Sequence, residues 1–165
     1  MADAKIKFED PFLNLVITRK RKLYKFAHFD SYKNTFSFAR GDTRYSLDKE
    51  LDKFFSTGRA RILEIAAGNA QFSLELARRH PGLNFVAADI KSDRLYTSAK
   101  QAIAEGIINI AFVRLNMQEL CNAFKPDSFN HIWLTFPDPY LRARSIRRRL
   151  THPTFLSLYD KLLID

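Results

Sequence analysis

Between residues 60 and 165 the chain alternates short apolar runs with amphipathic stretches, and the alternation repeats four times. "RILEIAAG" is an apolar run ending at Gly68, which predicts a strand and a tight turn. "AQFSLELARRHPG" places Phe72, Leu76 and Ala77 at helical spacing until His80, Pro81 and Gly82 stop it. "LNFVAAD" predicts a second strand ending at Asp89. A helix from Ser92 to about Glu105 follows, capped by Ser92, with Leu95, Ala99, Ala102 and Ile103 on one face and Gly106 as its stop. "NIAFVRLN" predicts a third strand ending at Asn116, then a short helix around Gln118 to Phe124, and "FNHIWLTF" a fourth strand with Trp133 in the core and His131 as a strand-edge polar group. A last helix opens at Thr151 or His152 with Pro153, its inward face carrying Phe155, Leu158, Tyr159 and Leu162. Strand and helix in this order predict an α/β fold built on a mostly parallel sheet covered on both faces.

The first 45 residues lack sustained periodicity, yet they are rich in aromatics, among them Phe8, Phe12, Tyr24, Phe26, Phe29, Tyr32, Phe36 and Phe38. That content is too high for a disordered tail. Residues 1–45 therefore read as a basic, aromatic-rich arm packing its rings on the main domain, residues 46–165. A short helix over Leu47 to Phe55, capped by Ser46, begins that domain.

Ligands of parallel sheets gather at the carboxyl ends of the strands. The residues falling there are Glu64 to Ala70, Asp89, Asn116 and Asp138. Gly68 can bring bare backbone against a ligand at a strand-to-helix turn. Asp89, at the end of the next strand, stands where a carboxylate accepts hydrogen bonds from ribose hydroxyls. Asn116 offers a donor and an acceptor suited to an adenine edge. Together they point to a nucleoside-containing cofactor. Glu64 and the glycine-poor loop argue against a pyrophosphate and in favour of a cofactor carrying a cationic sulfonium and an amino group.

Charge changes the picture further. The 165 residues carry 27 Lys and Arg against 18 Asp and Glu, a formal net charge of +9, and a surface this basic attracts polyanions. The excess is clustered: Arg19, Lys20, Arg21, Lys22 and Lys25 form one group, and Arg142, Arg144, Arg147, Arg148 and Arg149 another. Arg144, Arg147 and Arg148 would share a face if their segment is helical. No apolar run is long enough to span a bilayer, and the opening "MADAKIKFED" does not read as a signal peptide. Cys121 is the single cysteine, which excludes an internal disulfide and suits a reducing, cytoplasmic setting. His28, His80 and His152 show no metal-like spacing with each other or with Cys121, so no metal site is expected.

Three segments, "ILEIAAGNAQFSLELARRHPGLNFVAADIK", "IWLTFPDPY" and "RRRLTHPTFL", are similar in order and spacing to the tRNA (guanine-N7)-methyltransferase family, a class I S-adenosylmethionine-dependent group. The resemblance runs from about Ala60 to the end of the chain. It implies a Rossmann-like class I methyltransferase sheet, S-adenosylmethionine as cofactor, tRNA as partner, and methylation of N7 of guanine 46 in the variable loop. By the same resemblance Glu64, Gly68, Asp89 and Asn116 bind the cofactor, Asp138 is the catalytic position, and Arg144 and Arg148 engage RNA, with Arg142 and Arg147 beside them. The family has glycines where Ala66 and Ala70 stand, an acid at Asn116, tryptophan at Tyr140, proline at Leu141 and histidine at Ser145. It also continues into a further strand, so the sheet is expected to be truncated after its fourth strand and the helix that follows.

Guanine N7 already carries a lone pair, so its methylation needs no general base. Asp138, between Pro137 and Pro139, is expected in the crevice, where it can orient guanine and stabilise the ring as it becomes cationic. The competing expectations are a catalytically silent RNA-binding paralogue that keeps the arginines after losing two loop glycines, and a nicotinamide-dependent oxidoreductase, which the sparse glycine loop disfavours.

Overall fold

The computed structural model describes residues 17–39, 41–55 and 58–164. Phe8 and Phe12 of the aromatic arm lie outside these. Six helices and five strands follow along the described chain: α1 (Ile17–Ala27), β1 (Thr35–Ser37), α2 (Ser46–Phe54), β2 (Arg61–Ile65), α3 (Gln71–Arg79), β3 (Asn84–Asp89), α4 (Ser92–Ala104), β4 (Ile110–Arg114), α5 (Leu120–Ala123), β5 (His131–Trp133) and α6 (Pro153–Leu162). The strands form one parallel sheet in the order β1-β4-β3-β2-β5.

Alternate side chains of the central strands divide between two cores, the period-2 rule of an extended chain. Leu63, Ile65, Val86, Ala88 and Val113 pack with Leu47 and Leu51 of α2, Leu120 of α5, and Phe155, Tyr159 and Leu162 of α6. Ile62, Phe85, Ala87, Ile110 and Phe112 face the other way, onto Leu74 and Ala77 of α3 and Leu95, Ala99 and Ala102 of α4. The sheet is thus the middle of three layers, as the continuous apolar strands require.

Several elements differ from expectation for identifiable reasons. The sheet has five strands rather than four because the aromatic arm supplies β1, which pairs with β4 from Thr35↔Phe112 to Ser37↔Arg114. Its neighbours Phe29 and Phe38 are buried, one in each core. In α3 the inward residues are Leu74 and Ala77, while Phe72 is exposed and meets Trp133, ring centroids 5.5 Å apart. Trp133 is not core: it is 46% exposed, because β5 is an outer strand among the described residues and its ladder is only three residues long. Neither serine cap forms. Tyr45, in left-handed backbone at φ 62°, precedes α2, and Lys91 precedes α4, so Ser46 and Ser92 are each the first helical residue. His152 does cap α6, its Nδ1 accepting from the Thr154 N–H.

Candidate functional site

The chain runs β2, β3, β4 outward on one side and then returns to place β5 on the other side of β2. The order reverses there, and the carboxyl ends at such a point open a crevice. A cavity of about 610 Å³ occupies it, within the range of small-molecule sites. Every strand-end segment singled out above contributes: Ala66 after β2, Asp89 to Lys91 after β3, Asn116 to Gln118 after β4, and Phe136, Asp138 and Tyr140 after β5. Arg147 and Arg148 close one side, Arg94 of α4 another, and Leu150 and Phe155 add apolar surface. A second cavity, about 580 Å³, adjoins it and shares Ile90, Asn116 and Gln118.

Asp89 is held by the backbone. Its Oδ2 accepts the Gly68 N–H at 2.8 Å and its Oδ1 the Lys91 N–H at 2.8 Å. The carboxylate therefore ties the β2 loop to the start of α4, and each oxygen retains a second acceptor direction for a ligand hydroxyl. Asn116 Oδ1 accepts the Gln118 N–H at 3.1 Å, opening the 3₁₀ turn Met117–Glu119 at the adjacent wall.

The β2 loop has an unusual backbone. Ala66, Gly68 and Ala70 have φ of 55°, 58° and 57°, all left-handed, a region that favours glycine. These are the three positions at which the resemblance implies glycines. The path of the loop is kept although two of the three carry a methyl group. At Gly68 an added Cβ would meet nothing within 4 Å, so the loop there faces open space.

Glu64 is not on the cavity wall. It is 2% exposed, accepting from Ser73 Oγ at 2.6 Å and Thr135 Oγ1 at 3.0 Å. Burial raises its pKa above the ordinary glutamate value, only partly opposed by those two hydroxyls, with the nearby Asp89 charge adding to the rise. The carboxyl joins β2 and α3 to the segment that leads into Asp138.

Asp138 lines the cavity together with Asp89 and Ala66, at its mouth and exposed to solvent rather than buried. The loop that carries it is braced from an unexpected place. Arg149, counted in the sequence as one more basic group, donates from Nη2 at 3.1 Å and Nε at 3.3 Å to the Tyr140 carbonyl. Tyr140 itself has a positive φ of 39°. The remaining arginines divide. The segment Ala143–Arg148 is 3₁₀ rather than α-helical, so with three residues per turn Arg144 and Arg147 align and Arg148 is rotated away. Arg147 and Arg148 reach the cavity, whereas Arg142 and Arg144 are exposed outside it.

Sequence reasoning missed Lys91, Arg94, Phe136 and Tyr140 as wall residues. Lys91 and Arg94 were legible in one respect: exposed positions at the start of a helix that follows a parallel strand lie beside the crevice. Phe136 is 92% exposed, an unusual state for an aromatic that the strand pattern placed inside the sheet.

A family model described as "Putative methyltransferase" matches residues 59–165. Among curated relatives, the tRNA (guanine-N(7)-)-methyltransferase of Christiangramia forsetii is 33% identical over 87% of this chain and 66% of its own length. Those of Porphyromonas gingivalis and Bacteroides fragilis are 38% and 33% identical, over 67% and 88% of this chain and 44% and 59% of their own lengths. The chain thus spans less than two thirds of these relatives. Among solved structures, the 16S rRNA methyltransferase KamB superposes with a TM-score of 0.56 at 20% identity, over 71% of this chain and 54% of that one. A 30S ribosomal A1408 methyltransferase from an uncultured bacterium gives 0.57 at 12%, over 77% and 60%. These two share the α/β sheet fold. With the sheet, the crevice and a family model covering most of the chain in agreement, the protein belongs to this methyltransferase family.

Proposed function

We propose that the chain is the cofactor- and guanine-binding part of a tRNA (guanine(46)-N7)-methyltransferase that uses S-adenosylmethionine. One observation carries the reading: Asp138, Arg147 and Arg148 share a single cavity with Asp89 and Asn116. Acids suited to a nucleoside and a cationic purine therefore face the same space as groups that bind phosphate. The names of the curated relatives supply the substrate.

The residues present fit the cofactor. Asp89 is oriented by two backbone N–H groups and has acceptor capacity left for ribose hydroxyls, Asn116 on the same cavity would hold an adenine edge, and the Gly68 turn presents open space. When bound, S-adenosylmethionine supplies a methyl group on a cationic sulfur. Glu64, locked by Ser73 and Thr135, supports the loop from behind.

Asp138 acts on the purine. Guanine N7 is a lone-pair nucleophile, so no proton is removed there and a general base has no task. As the ring gains positive charge, a carboxylate at the cavity mouth stabilises it more than it stabilises the neutral base, which lowers the barrier. The rest of the rate comes from holding N7 in line, a matter of the rigidity that Pro137, Pro139 and the Arg149 brace confer. Arg147 and Arg148 at the wall, and Arg142 and Arg144 beyond it, hold phosphates around a base presented from its loop. A tRNA substrate also suits a cytoplasmic location, and among the described residues no helix is long and apolar enough to cross a membrane.

The catalytically silent alternative is not favoured, since the loop retains its left-handed backbone at Ala66 and Ala70. Incubation with methyl-labelled S-adenosylmethionine and unmodified tRNA, followed by nucleoside analysis, tests the proposal. Label in 7-methylguanosine is expected. Label on an adenine or on another guanine atom, or no transfer at all, would refute it.

A further inference from the structure

The surface of α4 carries a regularity that the cavity does not explain. From Lys91, just before the helix, exposed positions recur every third residue at Arg94, Thr97 and Lys100, while Ser92, Leu95, Tyr96, Ser98 and Ala99 are buried. Three of these four positions are cationic. The fourth, Thr97, accepts a hydrogen bond at 3.0 Å from Nζ of Lys25, which belongs to α1. These positions form an i±3n ridge, which winds obliquely across the exposed side of the helix, and a positive group stands at each step of this stripe, the gap at Thr97 being filled from another helix. The placement of α1 is fixed rather than incidental: its Tyr24 packs edge-on to Tyr96 at 6.3 Å, and in the segment that follows it the Tyr32 hydroxyl donates to that of Tyr96 at 3.0 Å. The nearest acid on α4, Asp93, is half-buried and off the stripe, and Glu105 at the far end is paired with Arg78.

The stripe begins in the cavity, because Lys91 and Arg94 are wall residues. It then leads away from the arginines of the Ala143–Arg148 turn. From Lys91 to Lys100 the helix advances about 13.5 Å at 1.5 Å per residue, a length that spans consecutive phosphates of a nucleic-acid strand.

We infer that this stripe is a second RNA-backbone track, on which phosphates of the substrate lie along α4 from Lys91 to Lys100 with Lys25 of α1 completing the line. The inference rests on the RNA-substrate reading above, but it concerns a different surface. The occupant is a phosphodiester chain because, past the cavity wall, Lys25 at Thr97 and Lys100 continue the line of cations over open helix surface, which suits a polyanion and offers nothing to read a base.

The test is binding of the full chain to fluorescently labelled unmodified tRNA by anisotropy, across a series of salt concentrations. It compares Lys25→Glu/Lys100→Glu, the neutral pair Lys25→Gln/Lys100→Gln, and Lys53→Glu on α2, which is exposed on the other face of the sheet. The double Glu variant is expected to bind about tenfold more weakly, and the slope of log affinity against log salt to fall by about 1.5–2, the loss of two phosphate contacts. The Gln pair is expected to show the same change in slope with a smaller loss, and Lys53→Glu neither. Wild-type affinity and slope in both double variants, or an equal loss in Lys53→Glu, would overturn the inference. Stripe-dependent binding by a wild-type chain that transfers no methyl group would defeat the proposed activity and leave the track standing. Normal methylation kinetics on tRNA by the double Glu variant would do the reverse.

Discussion

Replacing Ala66, Gly68 and Ala70 one at a time isolates what the left-handed loop costs. An L-residue at φ near +57° is disfavoured by about 1–2 kcal/mol relative to its normal region. Glycine escapes that cost but loses more entropy on folding, by about 0.5–1 kcal/mol. Ala66 is only half-buried, so little packing is lost with its methyl group, and Ala66→Gly should stabilise by about 0.5–1 kcal/mol. For a chain of 165 residues that is a rise in Tm of about 1–3 °C. Ala70 has the same backbone but is 0% exposed, and losing a buried methyl costs about 0.8 kcal/mol, so Ala70→Gly should fall near zero. Gly68→Ala supplies the opposite sign. Nothing lies within 4 Å of its added Cβ, so its destabilisation, about 1 kcal/mol, reports the backbone alone. Urea unfolding followed by far-UV circular dichroism measures all three. A destabilised Ala66→Gly, or an Ala70→Gly that gains as much as Ala66→Gly, would show that φ does not govern this loop.

Three other outcomes follow from the site. Asp138→Asn should lower the methyl-transfer rate about 100-fold with S-adenosylmethionine affinity unchanged by calorimetry, since the carboxylate acts on the purine; unchanged turnover would remove its role. Burial raises the Glu64 pKa in the folded chain, so the stability it confers is full below about pH 4.5 and declines as pH rises through the folded value. Glu64→Gln, which cannot ionise, should therefore gain on the unaltered chain as unfolding is measured from acid to neutral pH, and a gap independent of pH would contradict this. Arg149→Lys keeps the charge but cannot reach the Tyr140 carbonyl with two donors, so kcat should fall about tenfold while the salt dependence of tRNA binding holds; a changed salt slope with normal kcat would make Arg149 a phosphate ligand instead.

The sequence was most readable where one physical effect dominates. The strands around Leu63, Val86 and Phe112 are apolar on both faces, which only a covered sheet satisfies, and the strand-end positions Asp89, Asn116 and Asp138 follow from that topology. What depends on long-range partners was not readable. Nothing local marks Thr35–Ser37 as a strand, because its stability comes from pairing with Phe112 to Arg114. Likewise Glu64 has the position of a ligand-facing acid, and only the folded chain shows that Ser73 and Thr135 have taken its oxygens. Arg149 was indistinguishable by composition from Arg147 and Arg148, since charge is a property of the residue and a bond to the Tyr140 carbonyl is a property of the fold.

The pairing of β1 with β4 also has a temporal meaning. Thr35 leaves the ribosome roughly 80 residues before its partner Phe112, so this edge strand is translated ahead of β2, β3 and β4 and can dock only after all three are made. Throughout that interval Phe36 of the strand and its neighbour Phe38 have no place in the sheet, which makes this nascent segment a natural client for a chaperone that shields aromatic side chains until the third βα unit is synthesised.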